Sequence, residues 1–149
     1  MAQILVVEDD ESIRELVRRI ISTAGHTVSE ASSGPEALER LQQGPVDLVL
    51  LDLMLGSTSG FEVLEEADRR GIRARSRVIM LTARNSERDF LHGWRSGVDQ
   101  YVTKPFDPSA LVKTVQEILQ RSPEELAERR KDELEKAELL FRLESAFER

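Results

Sequence analysis

Three runs of the chain are apolar without interruption: residues 4–7 (Ile-Leu-Val-Val), 48–51 (Leu-Val-Leu-Leu) and 78–81 (Val-Ile-Met-Leu). Short runs of this kind, with no polar alternation, predict strands buried on both faces of a sheet. Residues 26–31 and 100–102 are shorter or less apolar, as edge or near-edge strands would be. Between the runs the period becomes helical. Ile13, Leu16, Val17, Ile20, Ile21 and Ala24 recur at helix spacing, with Gly25 where a left-handed C-terminal cap belongs. Pro35 opens a second helix carrying Ala37, Leu38 and Leu41, and Phe61, Val63, Leu64 and Ala67 mark a third. Phe90, Leu91 and Trp94 mark a fourth, whose aromatic residues are expected to cover the sheet. A fifth starts with Asp107 as N-cap and Pro108 at the first helical position, and carries a stripe of Leu111, Val112, Val115, Ile118 and Leu119.

Strict alternation of strand and helix with short connections implies right-handed crossovers and a parallel sheet covered on both faces. The expected fold is α/β: a flavodoxin-like, doubly wound sheet of five parallel strands in the order 2-1-3-4-5, with five helices and a C-terminal helix. In open sheets of this type ligands bind beyond the carboxyl ends of the strands, where the strand order reverses. Functional residues should therefore follow the strands.

Composition narrows the function classes. A chain of 149 residues with 40% hydrophobic content supports one ordinary core plus an appendage. The absence of cysteine excludes disulfides, thiolate metal sites and cysteine nucleophiles. No run approaches 18 apolar residues and the N-terminus has no basic region, so a soluble, cytoplasmic protein without a membrane partner is expected. The net charge of −7 is spread over both parts of the chain, with acids in excess before and after Arg121. Such a field disfavours polyanions, and no direct nucleic-acid binding is expected. The run Arg69, Arg70, Arg73, Arg75 and Arg77 reads as a solvated connection between a helix and a strand.

The positions just after the predicted strands hold Glu8, Asp9 and Asp10, then Asp52, Thr82 and Lys104. Two carboxylates about 4 Å apart repel by about 4 kcal/mol at an effective dielectric of 20, so a cluster of them calls for a cation. Hard oxygen ligands of this kind suit Mg2+, held by one or two carboxylates, waters and a phosphate. Lys104 can pair with a carboxylate or phosphoryl oxygen, and the Thr82 hydroxyl can donate to another. The chemistry indicated is phosphoryl transfer to a carboxylate, with Asp52 as nucleophile and no need for a catalytic histidine. His26 and His92 are read as surface residues.

The segments Ile4-Leu5-Val6-Val7-Glu8-Asp9-Asp10, Leu50-Leu51-Asp52-Leu53-Met54-Leu55 with Gly60, Thr82-Ala83, and Tyr101-Val102-Thr103-Lys104-Pro105-Phe106 resemble those of bacterial two-component response-regulator receiver domains. The resemblance spans residues 1–121. It implies that Asp52 is the phosphoacceptor, phosphorylated by a sensor histidine kinase with Mg2+, and that Glu8 and Asp9 are the acidic pair. It further implies that Met54 is a metal ligand through its backbone carbonyl, that Thr82 and Tyr101 form a switch pair, and that Lys104 contacts the phosphoryl group after a cis bond to Pro105. The alignment leaves Asp10 to cap the first helix. Departures from the family pattern are Gly56, where many relatives have proline, within a small polar loop (residues 56–60) expected to be flexible, and Arg84, which would project toward the phosphoryl site.

Residues 122–149 are expected to form a separate helical extension. Ser122-Pro123-Glu124-Glu125 has the capping-box pattern, and beyond it Leu134, Ala137 and Phe141 make one apolar stripe, with Leu140, Leu143 and Phe147 on an adjoining one. Coiled-coil pairing with a second copy is the leading explanation for this face, and folding back on the receiver is the alternative. The pattern still runs at Arg149, which is read as a linker toward an output domain. Two further functions compete with a receiver that switches through a changed dimer. A haloacid-dehalogenase-like phosphatase also uses an aspartyl nucleophile, but resembles its relatives in placing it after the first strand. A phosphate-independent pseudo-receiver adaptor would not need Asp52, Thr82 and Lys104.

Overall fold

The computed structural model describes residues 1–73, 76–83 and 87–147, with the side chains of residues 87 and 88 left aside. The apolar runs form β1 (Gln3–Val7), β2 (Thr27–Ala31), β3 (Leu48–Asp52), β6 (Arg77–Thr82) and β7 (Gln100–Thr103), joined in one sheet in the order β2-β1-β3-β6-β7. Every pairing in this sheet is parallel. Counting only these five strands, the order is the expected 2-1-3-4-5, and the fold is flavodoxin-like.

Side-chain alternation divides each central strand between two cores. Ile4, Val6, Leu48, Leu50, Ile79 and Leu81 face Val17 and Ile21 of α1 (Glu11–Thr23) and Leu111, Val115 and Ile118 of α5 (Pro108–Gln120). Leu5, Val7, Val49, Leu51, Val78 and Met80 face α2 (Gly34–Gln43) and α3 (Gly60–Arg70). Caps set the helix starts: Asp10, Ser33, Ser59 and Asp107 each accept a backbone N–H from three residues on. Leu16, counted in the apolar stripe of α1, is half exposed and stands outside the core.

In the segment after β3, β4 (Met54–Leu55) pairs antiparallel with β5 (Thr58–Ser59) in a short hairpin. Two local expectations are corrected. The arginines after α3 are not simply solvated: Arg73 binds Asp68 and the Ser96 carbonyl, and Arg77 donates to the carbonyls of Ile118 and Arg121 at the end of α5. Arg75 lies outside the described residues. Phe90 and Trp94, on α4 (Glu87–Arg95), meet the sheet at Tyr101 of its edge strand β7 and belong to a third cluster formed with the C-terminal helix.

That helix, α6 (Pro123–Phe147), starts with both bonds of the capping box: Glu125 N–H to Ser122 Oγ at 3.1 Å and Ser122 N–H to Glu125 Oε1 at 3.0 Å. Leu126 in its first turn is tied into the α1–α5 core. The stripe Leu134, Ala137 and Phe141, assigned above to pairing with a second copy, packs within the chain against Leu91 and Trp94. Leu140 and Leu143 on the adjoining stripe are about half exposed and Phe147 more so. Among the described residues no helix is long and apolar enough to cross a membrane.

Because Leu50 is fully buried between both helices of its layer, Leu50→Ala should lower unfolding free energy by about 2–5 kcal/mol. Leu16→Ala should stay within about 0.5 kcal/mol. Urea denaturation of the two variants beside the parent chain checks the contrast.

Candidate functional site

The carboxyl ends of β1, β3 and β6 and the turn after β7 meet at one edge of the sheet, at the point where β1 and β3 leave in opposite directions. Glu8 follows β1 and is 1% exposed; Asp52 ends β3 and is 5% exposed. Asp9, the next residue after Glu8, is open to solvent. Ligand atoms of Glu8, Asp9 and Asp52 lie within 4.8 Å of one another. The backbone carries this convergence: β1 and β3 are paired along their length, so residues leaving their ends are neighbours.

Lys104 closes the cluster. Its Nζ donates to Glu8 Oε1 at 2.7 Å and to Asp52 Oδ2 at 2.8 Å. The Lys104 N–H donates to the Thr82 carbonyl at 2.9 Å, which ties the turn after β7 to the end of β6, and the following peptide bond to Pro105 is cis. Asp52 Oδ1 accepts the Met54 N–H at 3.0 Å, so both carboxylate oxygens are held. Thr82 is fully buried at the end of β6, one residue beyond Leu81, the partner of Asp52 in the sheet. Met54 lies beside Asp52 with its side chain exposed. Asp10 stands apart from the acids and caps α1, accepting the Ile13 N–H at 3.0 Å. Arg84 lies outside the described residues.

Among the described residues, three carboxylates gather about one ammonium, and these charges do not balance. Burial, then the neighbouring Asp52 carboxylate, push Glu8 from its ordinary 4.5 up to about 8, against the pull of Lys104. Burial alone would lower Lys104, but its bonds to Asp52 and Glu8 outweigh this and hold it above its usual value. Glu8 Oε2 is buried with no hydrogen-bond partner among the described residues. An orphaned carboxylate oxygen beside two further acids is a donor set suited to a hard divalent cation.

Tyr101 is not part of this cluster. Its ring lies on the far side of β7, edge-on to Phe90 and Trp94, and its hydroxyl donates to the Asp89 carbonyl at 2.8 Å. Burial, with the Asp89 charge, holds its phenol above the ordinary value. The hydroxyl lies over Gly93, where a Cβ would overlap it.

Three residues, Arg14, Gly93 and Asp99, were not singled out from the sequence, and Gly60 was quoted there without a structural role. Arg14 donates to the Glu8 carbonyl at 2.9 Å and steadies the acidic turn from α1. Gly60 approaches so closely that a Cβ would stand 2.7 Å from the Asp52 carbonyl. Gly93 makes the seat for Tyr101, and Asp99, 3% exposed, binds α6. The two glycines carry a legible signal, an isolated glycine within or opening a helical pattern; the partners of Arg14 and Asp99 are set by tertiary structure.

The fold and site together define a flavodoxin-like α/β domain with three acids and a lysine gathered at the carboxyl edge of its sheet. Residues 4–116 match the response regulator receiver domain family, and the chain belongs to it. It is 36% identical over 120 residues to the transcriptional regulatory protein ResD of Bacillus subtilis, a match covering 80% of this chain and 49% of that protein. It thus spans about half the length of the curated relatives it matches. Among solved structures, the chemotaxis protein CheY4 of Vibrio cholerae superposes with a TM-score of 0.75 at 31% identity, covering 79% of this chain and 98% of that one. The response regulator TrrA of Thermotoga maritima, in complex with Mg2+-BeF, superposes with a TM-score of 0.69 at 35% identity, covering 79% and 99%.

Since Glu8 holds its proton more tightly in the folded than in the unfolded chain, its contribution to stability is complete below about pH 4.5 and is lost as the pH rises through about 8. Without divalent cation, the urea midpoint of the parent chain should fall between about pH 5 and pH 9, and Glu8→Gln should flatten that fall.

Proposed function

We propose that the chain is a phosphoacceptor in two-component signalling, taking a phosphoryl group from a sensor histidine kinase onto Asp52. The observation that carries this reading is Lys104 bridging Asp52 and Glu8, with Glu8 Oε2 left unpartnered in the same nest. Glu8, Asp9, Asp52 and the Met54 backbone carbonyl would hold Mg2+, the ion present with TrrA. Bound there, the cation neutralises charge on the transferring group. An Asp52 oxygen forms the new P–O bond as the P–N bond to the donor imidazole breaks. Lys104 exchanges its bond to Asp52 for one to a phosphoryl oxygen, and Thr82 supplies a hydroxyl donor from the end of β6. Met54 N–H and Gly60 hold the Asp52 segment against displacement.

The reading places the acceptor within a signalling protein rather than an enzyme acting on a separate substrate. Thr82 and Tyr101 are the pair through which the acceptor acts on the α4 side, and the C-terminal helix is the output, its exposed stripe of Leu140, Leu143 and Phe147 being the face left for pairing of two copies. The uncompensated acidic charge gives no support to direct nucleic-acid contact by this segment, and residues 122–149 act as a helical extension of the receiver.

Incubation with acetyl phosphate and Mg2+ should produce one base-labile phosphoryl adduct by intact mass. Asp52→Ala and chelation of the cation should each abolish it. A wild-type chain that gains no adduct, or an Asp52→Ala chain that keeps it, would overturn the assignment. Lys104→Ala should reduce adduct formation by about 10-fold or more, as expected for loss of a charge-assisted contact worth over 1.4 kcal/mol in the transition state.

A further inference from the structure

The helix beyond the family-matched region rests on the same part of the receiver that holds Tyr101. We infer that α6 is a latched cover of the α4–β7 face, closed while Asp52 is bare and released when Asp52 is phosphorylated. This rests on the phosphoacceptor reading above and adds the element that is regulated.

Three features hold the cover closed. The first is apolar: Leu134, Ala137 and Phe141 of α6 cluster with Leu91 and Trp94 of α4, and Phe90 and Tyr101 pack at its edge. The second is ionic. Asp99, directly before β7, is 3% exposed; its Oδ2 accepts the Val78 N–H at 2.9 Å, and its Oδ1 pairs with Arg130 of α6. Arg129 donates to the Asp99 carbonyl at 2.6 Å, and Arg95 pairs with Glu138 at 3.4 Å near the rim. Within the described residues, the charged partner of this buried carboxylate thus comes from α6. The third is the joint. α5 ends at Gln120, Arg121 is extended with φ −80° and ψ 144°, and Pro123 follows the Ser122 cap. Proline has no N–H and disfavours a helical residue before it, so α5 and α6 cannot run on as a single rod. Arg77 holds the last carbonyls of α5, and Leu126 anchors the first turn of α6, leaving a fixed pivot for the rest of the helix.

The coupling lies at Tyr101. Phe90, Trp94, Tyr101, Ala137 and Leu140 line a cleft of about 310 Å3 between α4, β7 and α6. Tyr101 enters it between Gly93 beneath and α6 beside it, in a seat with no room for displacement toward α4. Its strand ends at Thr103, paired with Thr82, and the next residue is Lys104. A phosphoryl group that draws Thr82 and Lys104 toward Asp52 therefore pulls on β7, which carries Tyr101 and directly follows Asp99. Closely packed contacts do not stretch, so the shift is taken up at the α6 contact, which is lost as a unit.

Trp94 is the only tryptophan of the chain and lies 8% exposed under α6, so its fluorescence reports the cover directly. The full chain, dilute enough to sediment as a monomer, is treated with acetyl phosphate and Mg2+ and followed by intact mass and acrylamide quenching. Quenching of Trp94 should rise several-fold in step with the adduct, and should not change in Asp52→Ala. Arg130→Ala should show the raised quenching without phosphodonor, with the mass adduct still forming and accumulating to a greater extent, since latch and phosphoryl group oppose each other reciprocally. An adduct-bearing chain whose Trp94 stays shielded overturns the cover while leaving the phosphoacceptor reading intact. Absence of any adduct overturns that reading and the coupling with it. Arg130→Ala with parental quenching removes the latch from the mechanism.

Discussion

Among the described residues one ammonium, that of Lys104, holds two of the three carboxylates gathered at the carboxyl edge of the sheet, and much of the site's character follows from this shortage of positive charge. Lys104 reaches Glu8 and Asp52 only because its turn is tied to the end of β6 through the Thr82 carbonyl, and β6 is in turn paired with β3, which ends in Asp52. The sheet register and the ion pairs are therefore one construction: a slip of one residue in β3 would send Asp52 to the wrong face. The deficit also defines what the site can accept. On the proposed reading, a cation would relieve Glu8, and a phosphoryl group would bring negative charge that the cation and Lys104 together could hold.

Much of this was legible in the chain. Uninterrupted apolar runs located the central strands because parallel strands are covered on both sides, and the acids, threonine and lysine stood directly after those runs. The family resemblance left Asp10 to cap the first helix, and Asp10 supplies the capping oxygen that a helix start needs. The capping box at Ser122 likewise came from local chemistry, whereas the cis bond before Pro105 was implied by the family resemblance alone.

What the chain concealed depends on partners distant in sequence. An apolar stripe such as Leu134, Ala137 and Phe141 serves equally well in a coiled coil or against a neighbouring helix, because both require the same spacing. The choice is made by Asp99 and Trp94, some 30 and 40 residues earlier, whose relation to α6 exists only after folding. The β4–β5 hairpin was hidden for a different reason: two-residue strands are too short to show a period, and the small polar residues there resemble an open loop. Tyr101 illustrates both situations. Its place in a strand was readable, but its seat depends on what α4 lacks at position 93.

That missing side chain has a consequence for α4 itself. Glycine in a helix interior costs about 1 kcal/mol relative to alanine, and a nine-residue helix is too short to persist alone. Room for the tyrosine is thus obtained by weakening the element that holds it. α4 is supported by Tyr101 of β7, by α6, and by Phe61 of α3, which stacks on His92 with ring centroids 4.0 Å apart. A short, glycine-weakened helix thus stands beside the sheet edge that gathers Glu8, Asp52 and Lys104, and β7 joins the two.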